Sequence, residues 1–291
     1  MIVYADGVYL PRNEARLSAM SPAVLFGASL FETVLCRRGV PLFVDDHAER
    51  MAASARSLEL PVDLDAGALR AVGLELNRRN GPIDHGRLRI TLVEDEGGGD
   101  AYTDPTGVTR LFLELAPFSP PGADILDGGW HLAISPHRQD PSRPLAGCKT
   151  GNYMANRLER RRAVRRGCQE ALFLATDGRV LEGTATNLFV LNRGVVQTPP
   201  LSSGVLPGIT RKVLLREDRL GAAPLEEADL SIQDLISAEE AFVTNALVGV
   251  IPVATTDGVT VGPGTAGPAT RAAARAVEDA RRRETRRFLS P

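Results

Sequence analysis

Two lysines, Lys149 and Lys212, stand among 34 lysine and arginine residues, so arginine supplies almost all positive charge in this chain. Lys149 lies in a stretch of mostly small residues, Leu145–Asn152 (Leu-Ala-Gly-Cys-Lys-Thr-Gly-Asn), which Tyr153 follows. A lysine can lose its proton and form a Schiff base, and an arginine can do neither at neutral pH. Lys149 is therefore a candidate for covalent and proton-transfer chemistry, although a solvated loop lysine is the simpler interpretation of this residue taken alone.

Three further features could assist such a lysine. Glu182 ends an apolar run and precedes small residues, so its carboxylate could point into a site. The segment Leu206–Arg211 places small residues at a predicted helix start, where exposed backbone N–H groups bind phosphate. Arg50 has a guanidinium group, which suits phosphate recognition. The ordinary alternatives are a turn carboxylate, helix capping by Thr210 and a surface ion pair. Together, a nucleophilic lysine, an acid for a ring nitrogen and phosphate binders describe a pyridoxal phosphate site.

The residue pattern predicts the elements that must position these side chains. In the first half, residues 2–10 alternate and turn at Asp6-Gly7, which predicts a hairpin. Further predicted elements are a strand within 24–40, a helix over 47–55 capped by Asp45-Asp46, a helix over about 66–79, strands over 88–94 and 111–115, and a break at Gly97–Gly99 between these strands.

The second half is predicted to contain strands over 131–135, 170–175, 179–181, 186–191 and 241–244, with helices over 153–166, about 209–219 and about 268–288. Strands mixed with helices in both halves predict an α+β or α/β fold. Prolines at 117, 120 and 121 with Gly122 mark a boundary. The predicted organisation is a small N-terminal domain (1–118), a linker (119–124) and a larger C-terminal domain (125–291).

Composition and charge argue against several classes of protein. The net charge of −2 gives no electrostatic case for nucleic acid or an anionic membrane, and no apolar run reaches membrane-spanning length. The first residues show no secretory signal pattern. Three cysteines, Cys36, Cys148 and Cys168, predict reduced thiols and a cytoplasmic location. The four histidines have no metal-ligand spacing, so no metal is expected.

Six stretches occur in the order expected for a known family: Phe26–Thr33, His47–Met51, Leu145–Tyr153, Glu170–Asn187, Ser203–Arg211 and Val243–Val253. In these stretches the chain resembles the class IV (fold type IV) pyridoxal phosphate enzymes. That family includes branched-chain aminotransferases, D-amino acid aminotransferases and 4-amino-4-deoxychorismate lyases. The resemblance implies an α+β fold of the D-amino acid aminotransferase type, with a small α/β N-terminal domain, a larger C-terminal domain and the site at their interface. It also implies pyridoxal 5'-phosphate as cofactor, an amino-bearing small-molecule substrate and a homodimer.

The resemblance implies a role for each matching residue. Lys149 forms the Schiff base with the cofactor and moves protons, Glu182 keeps the pyridine nitrogen protonated, and Tyr153 lies near the phenolic oxygen. The remaining cofactor-binding residues, most of them at the phosphate, are Arg50, Asn187, Gly208, Ile209, Thr210, Thr244 and Asn245.

Substrate contacts are expected at five positions: Phe31, Thr33, Arg89, Tyr102 and Arg138. A solvent-facing arginine is an equal alternative for Arg89, and a salt bridge is the simpler interpretation of Arg138. Tyr102 is expected on a loop over the site.

The family divides by the reaction that follows loss of the α-proton. The spacing of Lys149 and Tyr153, the segment 202–211 and the segment 244–247 resemble the lyase branch, which forms 4-aminobenzoate and pyruvate in folate biosynthesis. Gly151, in place of a larger apolar residue, and the acids at 94–96 argue against it. The favoured prediction is therefore 4-amino-4-deoxychorismate lyase, and the alternative is a class IV aminotransferase of branched-chain or D-amino acid type.

Two interpretations from other classes compete with an enzyme of this family. The glycines of residues 262–267 fit the spacing of a dinucleotide-binding motif, but an arginine-rich helix is predicted after them in place of a further strand. We interpret these glycines as a connection before the last helix. The second competitor is a protein that binds the cofactor without turnover.

Overall fold

The computed structural model describes residues 1–95, 108–122 and 124–289. The chain divides into two compact units, each with its own sheet. Unit 1 comprises Met1–Pro120, Cys148–Tyr153 and Arg282–Pro291, and unit 2 comprises Pro121–Gly147 and Met154–Arg281. Two pieces that the sequence analysis counted with the C-terminal domain therefore belong to unit 1. The domain bounds themselves stay a prediction, because compact packing does not test whether either part folds by itself.

Unit 1 contains β1 (Ile2–Ala5), β2 (Val8–Pro11), α1 (Pro22–Leu25), β3 (Ser29–Arg37), β4 (Val40–Pro41), α2 (Val44–Ser57), α3 (Ala66–Asn80), β5 (His85–Asp95) and β6 (Val108–Pro117). Its strands form an antiparallel sheet in the order β2-β1-β6-β5-β3-β4. The predicted hairpin is confirmed: Asp6 and Gly7 have φ angles of 50° and 94° and connect β1 to β2. The predicted break at Gly97–Gly99 lies outside the described residues.

Helices α2 and α3 bury their apolar side chains with those of the sheet in one core. The prediction of α3 is confirmed, and Asp65 caps it by accepting from the N–H groups of Gly67 and Ala68 at 2.6 and 3.2 Å. Helix α2 begins earlier than predicted, because Phe43 takes a left-handed conformation (φ 54°) and becomes the residue before the helix. Asp45 and Asp46 therefore do not cap α2; they lie in its first turn and interact favourably with the helix dipole.

Unit 2 contains α4 (Ile125–Gly128), β7 (Trp130–Gln139), α5 (Met154–Arg165), β8 (Glu170–Ala175), β9 (Val180–Gly183), β10 (Asn187–Asn192), β11 (Val195–Thr198), α6 (Ile209–Leu215), β12 (Arg219–Leu220), β13 (Ala223–Glu227), α7 (Ile232–Ile236), β14 (Glu240–Asn245), β15 (Gly249–Thr256), β16 (Val259–Thr260) and α8 (Pro268–Leu289). Helix α6 is shorter than predicted, since Arg219 and Leu220 pair with Pro224 and Ala223 in a strand. The last residues of α8 belong to unit 1.

The sheet of unit 2 closes on itself. Its strand order is β12-β13-β11-β10-β14-β15-β7-β8-β9, and β9 returns to β10 through the pair Glu182–Asn187. The strands β10, β14, β15, β7, β8 and β9 thus form a ring, which leaves few unpaired edges. Strand β7 runs parallel to both β8 and β15, and β8 is buried along its whole length. The pair that closes this ring contains the predicted acid, Glu182.

Two further observations describe the chain as a whole. No helix among the described residues has the length and apolarity that crossing a membrane requires. The three cysteines are free thiols: Cys36 is buried, and Cys148 and Cys168 are half-buried. Burial raises the pKa of the Cys36 thiol to about 12, despite an opposing hydrogen bond with the backbone of Leu88, so this thiol is unreactive at neutral pH.

Candidate active site

Lys149 lies on a short segment that hydrogen bonds to the beginning of β3 in unit 1. The Phe31 N–H donates to the Lys149 carbonyl at 2.9 Å, and the Gly151 N–H donates to the Ser29 carbonyl at 2.8 Å. Leu30 and Thr150 form an antiparallel bridge between these two bonds. The backbone of Lys149 is therefore fixed as in a strand of the sheet.

The glycines of this segment permit a close approach to residues 27–29. A Cβ atom at Gly151 would lie 2.0 Å from Ser29 Oγ, and one at Gly27 would lie 2.5 Å from Asn152 Oδ1. Asn152 Nδ2 donates to the Gly27 carbonyl at 3.1 Å. The serine hydroxyl thus occupies the place that a side chain at position 151 would need.

Two aromatic rings surround the amine of Lys149. Its Nζ lies 4.3 Å from the Phe31 ring centroid and 5.8 Å from that of Tyr153. The two rings meet edge to face, with centroids 5.5 Å apart. The faces of these rings attract the charged form of the amine. The structure therefore brings together three residues that the sequence predicted for the site.

Arg89 contacts the same aromatic ring. Its Cζ lies 4.1 Å from the Phe31 centroid, and its Nε donates to Thr91 Oγ1 at 3.2 Å. Residue 89 pairs with Thr33 across β3 and β5, which places both side chains on one face of the sheet. Burial lowers the pKa of Arg89 and Arg87 adds to this, while Glu114 and Tyr153 oppose it. The guanidinium of Arg89 is therefore partly buried and lies against the ring that Lys149 also contacts.

Arg50 belongs to a buried charge network that the sequence analysis missed. Its Nε and Nη2 donate to Glu32 Oε1 and Oε2 at 2.8 and 2.5 Å. His47 Nδ1 lies 2.6 Å from Glu32 Oε2. Glu32 and His47 are each 1% exposed and Arg50 is 9% exposed. The available sequence signals were an acid inside an apolar strand and two basic residues at i and i+3 on α2, since a buried carboxylate needs partners.

The network has defined charge states. Burial by itself would raise the pKa of the Glu32 carboxyl, but Arg50 and His47 outweigh burial and hold the pKa at about 2. The pKa of His47 is lowered, chiefly by burial and also by Arg50 and Lys149, although Glu32 opposes this. The carboxylate is therefore charged and the imidazole neutral at pH 7.

In unit 2, three predicted residues lie in one row of paired strands. Glu182 of β9 pairs with Asn187 of β10, and Asn187 pairs with Thr244 of β14. Paired residues of neighbouring strands point to the same face of a sheet. The structure thus gathers Glu182, Asn187 and Thr244 on one face.

Hydrogen bonds orient the Glu182 carboxylate. Its Oε2 accepts from Asn187 Nδ2 at 3.0 Å and from the Leu206 N–H at 3.1 Å. Asn187 Nδ2 also donates to the Leu206 carbonyl at 2.9 Å. A Cβ atom at Gly208 would lie 1.9 Å from Asn187 Oδ1, so only glycine allows this approach. Asn187 therefore links the acid to the loop that precedes α6.

Two segments of unit 2 are predicted to bind the phosphate, residues 208–210 and residues 244–245, and they differ in their hydrogen bonding. Gly208 is the residue before α6 and makes no side-chain cap, and Ile209 and Thr210 lie inside the helix with 4% and 5% exposure. The alternative of plain capping by Thr210 is therefore wrong. Thr244 is 0% exposed, and its Oγ1 has no hydrogen-bond partner among the described residues. The Asn245 side chain instead accepts from the N–H groups of residues 247 and 248 at 3.0 and 2.9 Å.

Two further substrate contacts were predicted, Arg138 and Tyr102. Arg138 lies on β7, is exposed, and donates to the Ser135 carbonyl at 3.3 Å. Tyr102 lies outside the described residues. Within the described ranges, no cluster of three or more histidine, cysteine or acidic side chains is arranged to hold a metal ion.

Comparison with known proteins decides the family. The family model described as "Amino-transferase class IV" matches residues 29–255. The chain belongs to the class IV aminotransferase family. Class IV aminotransferases are pyridoxal phosphate enzymes, and a solved branched-chain amino acid aminotransferase with a TM-score of 0.87 to this chain contains pyridoxamine 5'-phosphate. Pyridoxal 5'-phosphate is therefore the cofactor of this chain, and the resemblance inferred from the six stretches is confirmed.

Relatives within the class IV family include both reaction types. A putative branched-chain-amino-acid aminotransferase of Methanocaldococcus jannaschii is 30% identical over 260 residues, covering 89% of this chain and 88% of the relative. An aminodeoxychorismate lyase of Bacillus subtilis is 27% identical over 257 residues, covering 86% and 85%. The crystal structure of the Escherichia coli branched-chain amino acid aminotransferase has a TM-score of 0.87 and 27% identity, covering 96% and 93%. The predicted α+β, fold type IV architecture is confirmed.

The described side chains of this class IV enzyme fit its cofactor. Lys149 offers an amine beside two aromatic rings, and Glu182 offers a carboxylate whose Oε2 accepts from two donors. The buried Thr244 Oγ1 without a partner is the kind of donor that a phosphate oxygen satisfies. The donor set therefore matches an aldehyde, a ring nitrogen and a phosphate.

Proposed function

We propose that this enzyme transfers an amino group from an amino acid to a 2-oxo acid, as a branched-chain type aminotransferase. The observation that carries the proposal is the contact of Lys149 Nζ and the Arg89 guanidinium with one ring, that of Phe31, at 4.3 and 4.1 Å. A proton-moving amine and a carboxylate-binding cation on one ring suit an α-amino acid. Relatives named branched-chain-amino-acid aminotransferases, 30% identical over 89–92% of this chain, support transfer as the reaction.

Lys149 is proposed as the catalytic residue. Bound pyridoxal phosphate supplies an electron sink for the charge that remains when the α-proton leaves. Lys149 is the residue that would hold the cofactor at its aldehyde carbon, and its Nζ would serve as general base and acid for the α-proton of the substrate. The rings of Phe31 and Tyr153 limit the access of water to the amine, and Tyr153 is proposed to face the cofactor's phenolic oxygen.

The residues of unit 2 are proposed to hold the ring nitrogen and the phosphate. Glu182 keeps a proton on the nitrogen, and its orientation depends on the hydrogen bonds from Asn187 and Leu206. Thr244 Oγ1 and the backbone N–H groups of Ile209 and Thr210 are proposed donors to the phosphate, with Asn245 as a weaker candidate because its Nδ2 already donates to the Ala185 carbonyl at 3.3 Å. Arg50 of unit 1 is the proposed phosphate cation, and Glu32 restrains it.

We propose that the substrate is recognised by Arg89, Thr33 and Phe31. Arg89 binds the carboxylate, and its partial burial strengthens that interaction by excluding water. Tyr102 and Arg138 stay predictions as substrate contacts.

The assay supplies L-leucine, L-valine or D-alanine with 2-oxoglutarate and measures glutamate and the new 2-oxo acid. Lys149→Ala is expected to abolish turnover and the visible absorbance of the bound cofactor, with an unchanged circular dichroism spectrum. Lys212→Ala, which removes the other lysine, is the matched control and should keep both. Amino exchange by Lys149→Ala would contradict the role of this residue.

The lyase reaction that the sequence favoured is the second candidate. The spacing of Lys149 and Tyr153 and a lyase relative 27% identical over 86% of this chain favour it. The same enzyme is therefore supplied with aminodeoxychorismate, and pyruvate with 4-aminobenzoate is measured. Formation of these products without amino exchange would replace the aminotransferase assignment.

Assembly and location are part of the same proposal. We propose a homodimer, since Met20, Val24, Leu25 and Phe26 form a run of apolar side chains that are 41–61% exposed. Light scattering during size exclusion measures the mass, and a single-chain mass would contradict the dimer. The free thiols favour a cytoplasmic location.

A further inference from the structure

Glu170 is a buried carboxylate whose oxygens are surrounded by donors. It begins β8 and is 0% exposed. Its Oε1 accepts from the N–H groups of Ala171 and Thr184 at 2.8 and 3.1 Å and from the Thr184 hydroxyl. Its Oε2 accepts from the Ala185 N–H at 3.3 Å, from Thr186 Oγ1 at 3.2 Å and from Arg160 Nη1 at 2.9 Å.

Most of these donors belong to the turn that joins Glu182 to Asn187. The Gly183 N–H donates to the Thr186 carbonyl at 2.8 Å, which makes the turn compact. A Cβ atom at Gly183 would lie 2.9 Å from Glu170 Cδ, so the carboxylate packs directly on the turn backbone. Asn156 of α5 holds the same turn by donating to the Thr184 carbonyl at 2.9 Å.

We propose that Glu170 is a positioning residue, whose carboxylate shapes the turn 183–186 so that Glu182 and Asn187 stay paired. The pairing of these two residues closes the ring of strands, and the hydrogen bond between them orients the Glu182 carboxylate. This inference rests on the proposed role of Glu182 at the cofactor's ring nitrogen. Glu170 itself acts through the turn and does not touch the reacting atoms.

A carboxylate is needed because each oxygen of residue 170 faces donors. Glutamine has one acceptor oxygen, and its NH₂ group would face either the donors now on Oε1 or those now on Oε2. Donors that lose their acceptor in a buried site are strongly destabilising. The turn would then shift, and the separation between Glu182 and Asn187 would increase.

The experiment compares Glu170→Gln with two reference variants in the purified holoenzyme. Glu182→Gln removes the acid itself. Glu240→Gln is the matched control, because Glu240 is 5% exposed and accepts from Ala269 N–H, Thr270 N–H and Thr270 Oγ1 at 3.1, 2.9 and 2.7 Å, at the start of α8. The readouts are the dissociation constant of pyridoxal phosphate, the absorbance of the bound cofactor against pH, and the thermal midpoint.

Glu170→Gln is expected to raise the dissociation constant of pyridoxal phosphate by about tenfold. It should also shift the profile of cofactor absorbance against pH in the same direction as Glu182→Gln shifts it. Glu240→Gln should lower the thermal midpoint and leave the absorbance profile unchanged. Thr186→Val, which removes one donor to Oε2 and keeps the carboxylate, should produce a smaller shift in the same direction. This last variant tests the inference even where Glu170→Gln does not fold.

Two outcomes separate this inference from the proposed function. If Glu182→Gln shifts the profile while Glu170→Gln and Thr186→Val match the Glu240→Gln control, the positioning role is overturned and the role of Glu182 stands. If Glu182→Gln leaves the profile unchanged, the proposed role of Glu182 is wrong and the inference falls with it.

Discussion

The buried network of Glu32, Arg50 and His47 gives the sharpest prediction of stability. Glu32→Gln keeps the shape of the side chain and removes its charge, while Arg50 stays charged and buried. Removing one partner from a buried ion pair typically costs about 3–5 kcal/mol. The pKa provides a second figure for this free energy: the interval from the ordinary 4.5 to about 2 corresponds to about 3 kcal/mol at about 1.4 kcal/mol per pH unit.

The pH dependence of this contribution follows from its sign. The pKa of Glu32 is lowered in the folded state, so the stabilisation is fully present above the unfolded pKa of 4.5 and disappears as the pH falls towards about 2. As the pH falls from 4.5 to about 2, the free energy of unfolding of wild type should therefore fall by about 3 kcal/mol more than that of Glu32→Gln. At pH 7 the variant should be less stable than wild type, with the difference confined to unit 1.

Hydrogen exchange of the β3 and α2 amides at pH 7 measures this difference locally, and urea unfolding between pH 2 and 7 measures its pH dependence. Glu75→Gln is the control, because hydrogen bonds from Arg78 and Arg79 also hold the pKa of Glu75 at about 2, but on the surface. Exposed pairs contribute little, so this control should resemble wild type. A loss below about 1 kcal/mol for Glu32→Gln, or an equal loss in both variants, would refute the reasoning.

Other perturbations follow from the same structure. Arg89→Ala should raise KM for the amino acid by about tenfold to a hundredfold with a smaller change in kcat, and an unchanged KM in steady-state assays would contradict its role. Gly151→Ala should cost about 1–3 kcal/mol in urea unfolding, because its Cβ would lie 2.0 Å from Ser29 Oγ, and Ser29→Ala should recover part of this. Burial lowers the pKa of His47, so the free energy of unfolding should decline as the pH falls below about 6.5. In His47→Gln this decline should be smaller. Equal dependence of the unfolding free energy on pH in wild type and His47→Gln would contradict this prediction. Gly208→Ala should weaken cofactor binding in equilibrium titrations by displacing Asn187, and an unaltered affinity would count against that link.

Local patterns predicted the elements whose determinants are close in sequence. Asp6-Gly7 specified a hairpin because both residues tolerate positive φ, and α3 was predicted over about 66–79, close to its observed bounds. The predicted start of α2 was wrong because Phe43 takes a left-handed conformation, which residues other than glycine adopt rarely and which the residue pattern did not indicate. The end of α6 was wrong because residues 219 and 220 pair with a later strand. Such contacts leave no periodic signal in the segment itself.

The residues of the candidate site also divide into those that the sequence indicated and those that only the folded structure revealed. Lys149 and Glu182 were predicted because an amine and an acid carry the chemistry that a pyridoxal phosphate enzyme requires, and Thr244 was predicted from the family resemblance. Glu32 and Glu170 were missed, since a buried carboxylate has meaning only once its donors are known. Those donors come from α2 for Glu32, and from α5 and the turn 183–186 for Glu170.

The sequence by itself determined the family and the cofactor, because six stretches along the chain match that family in the expected order. The tertiary structure alone decided how the side chains of the site are held: which ring contacts the Lys149 amine, which donors orient Glu182, and which buried acid restrains Arg50. These contacts join residues far apart in the chain, and their energies depend on burial and distance, which become defined only when the chain packs.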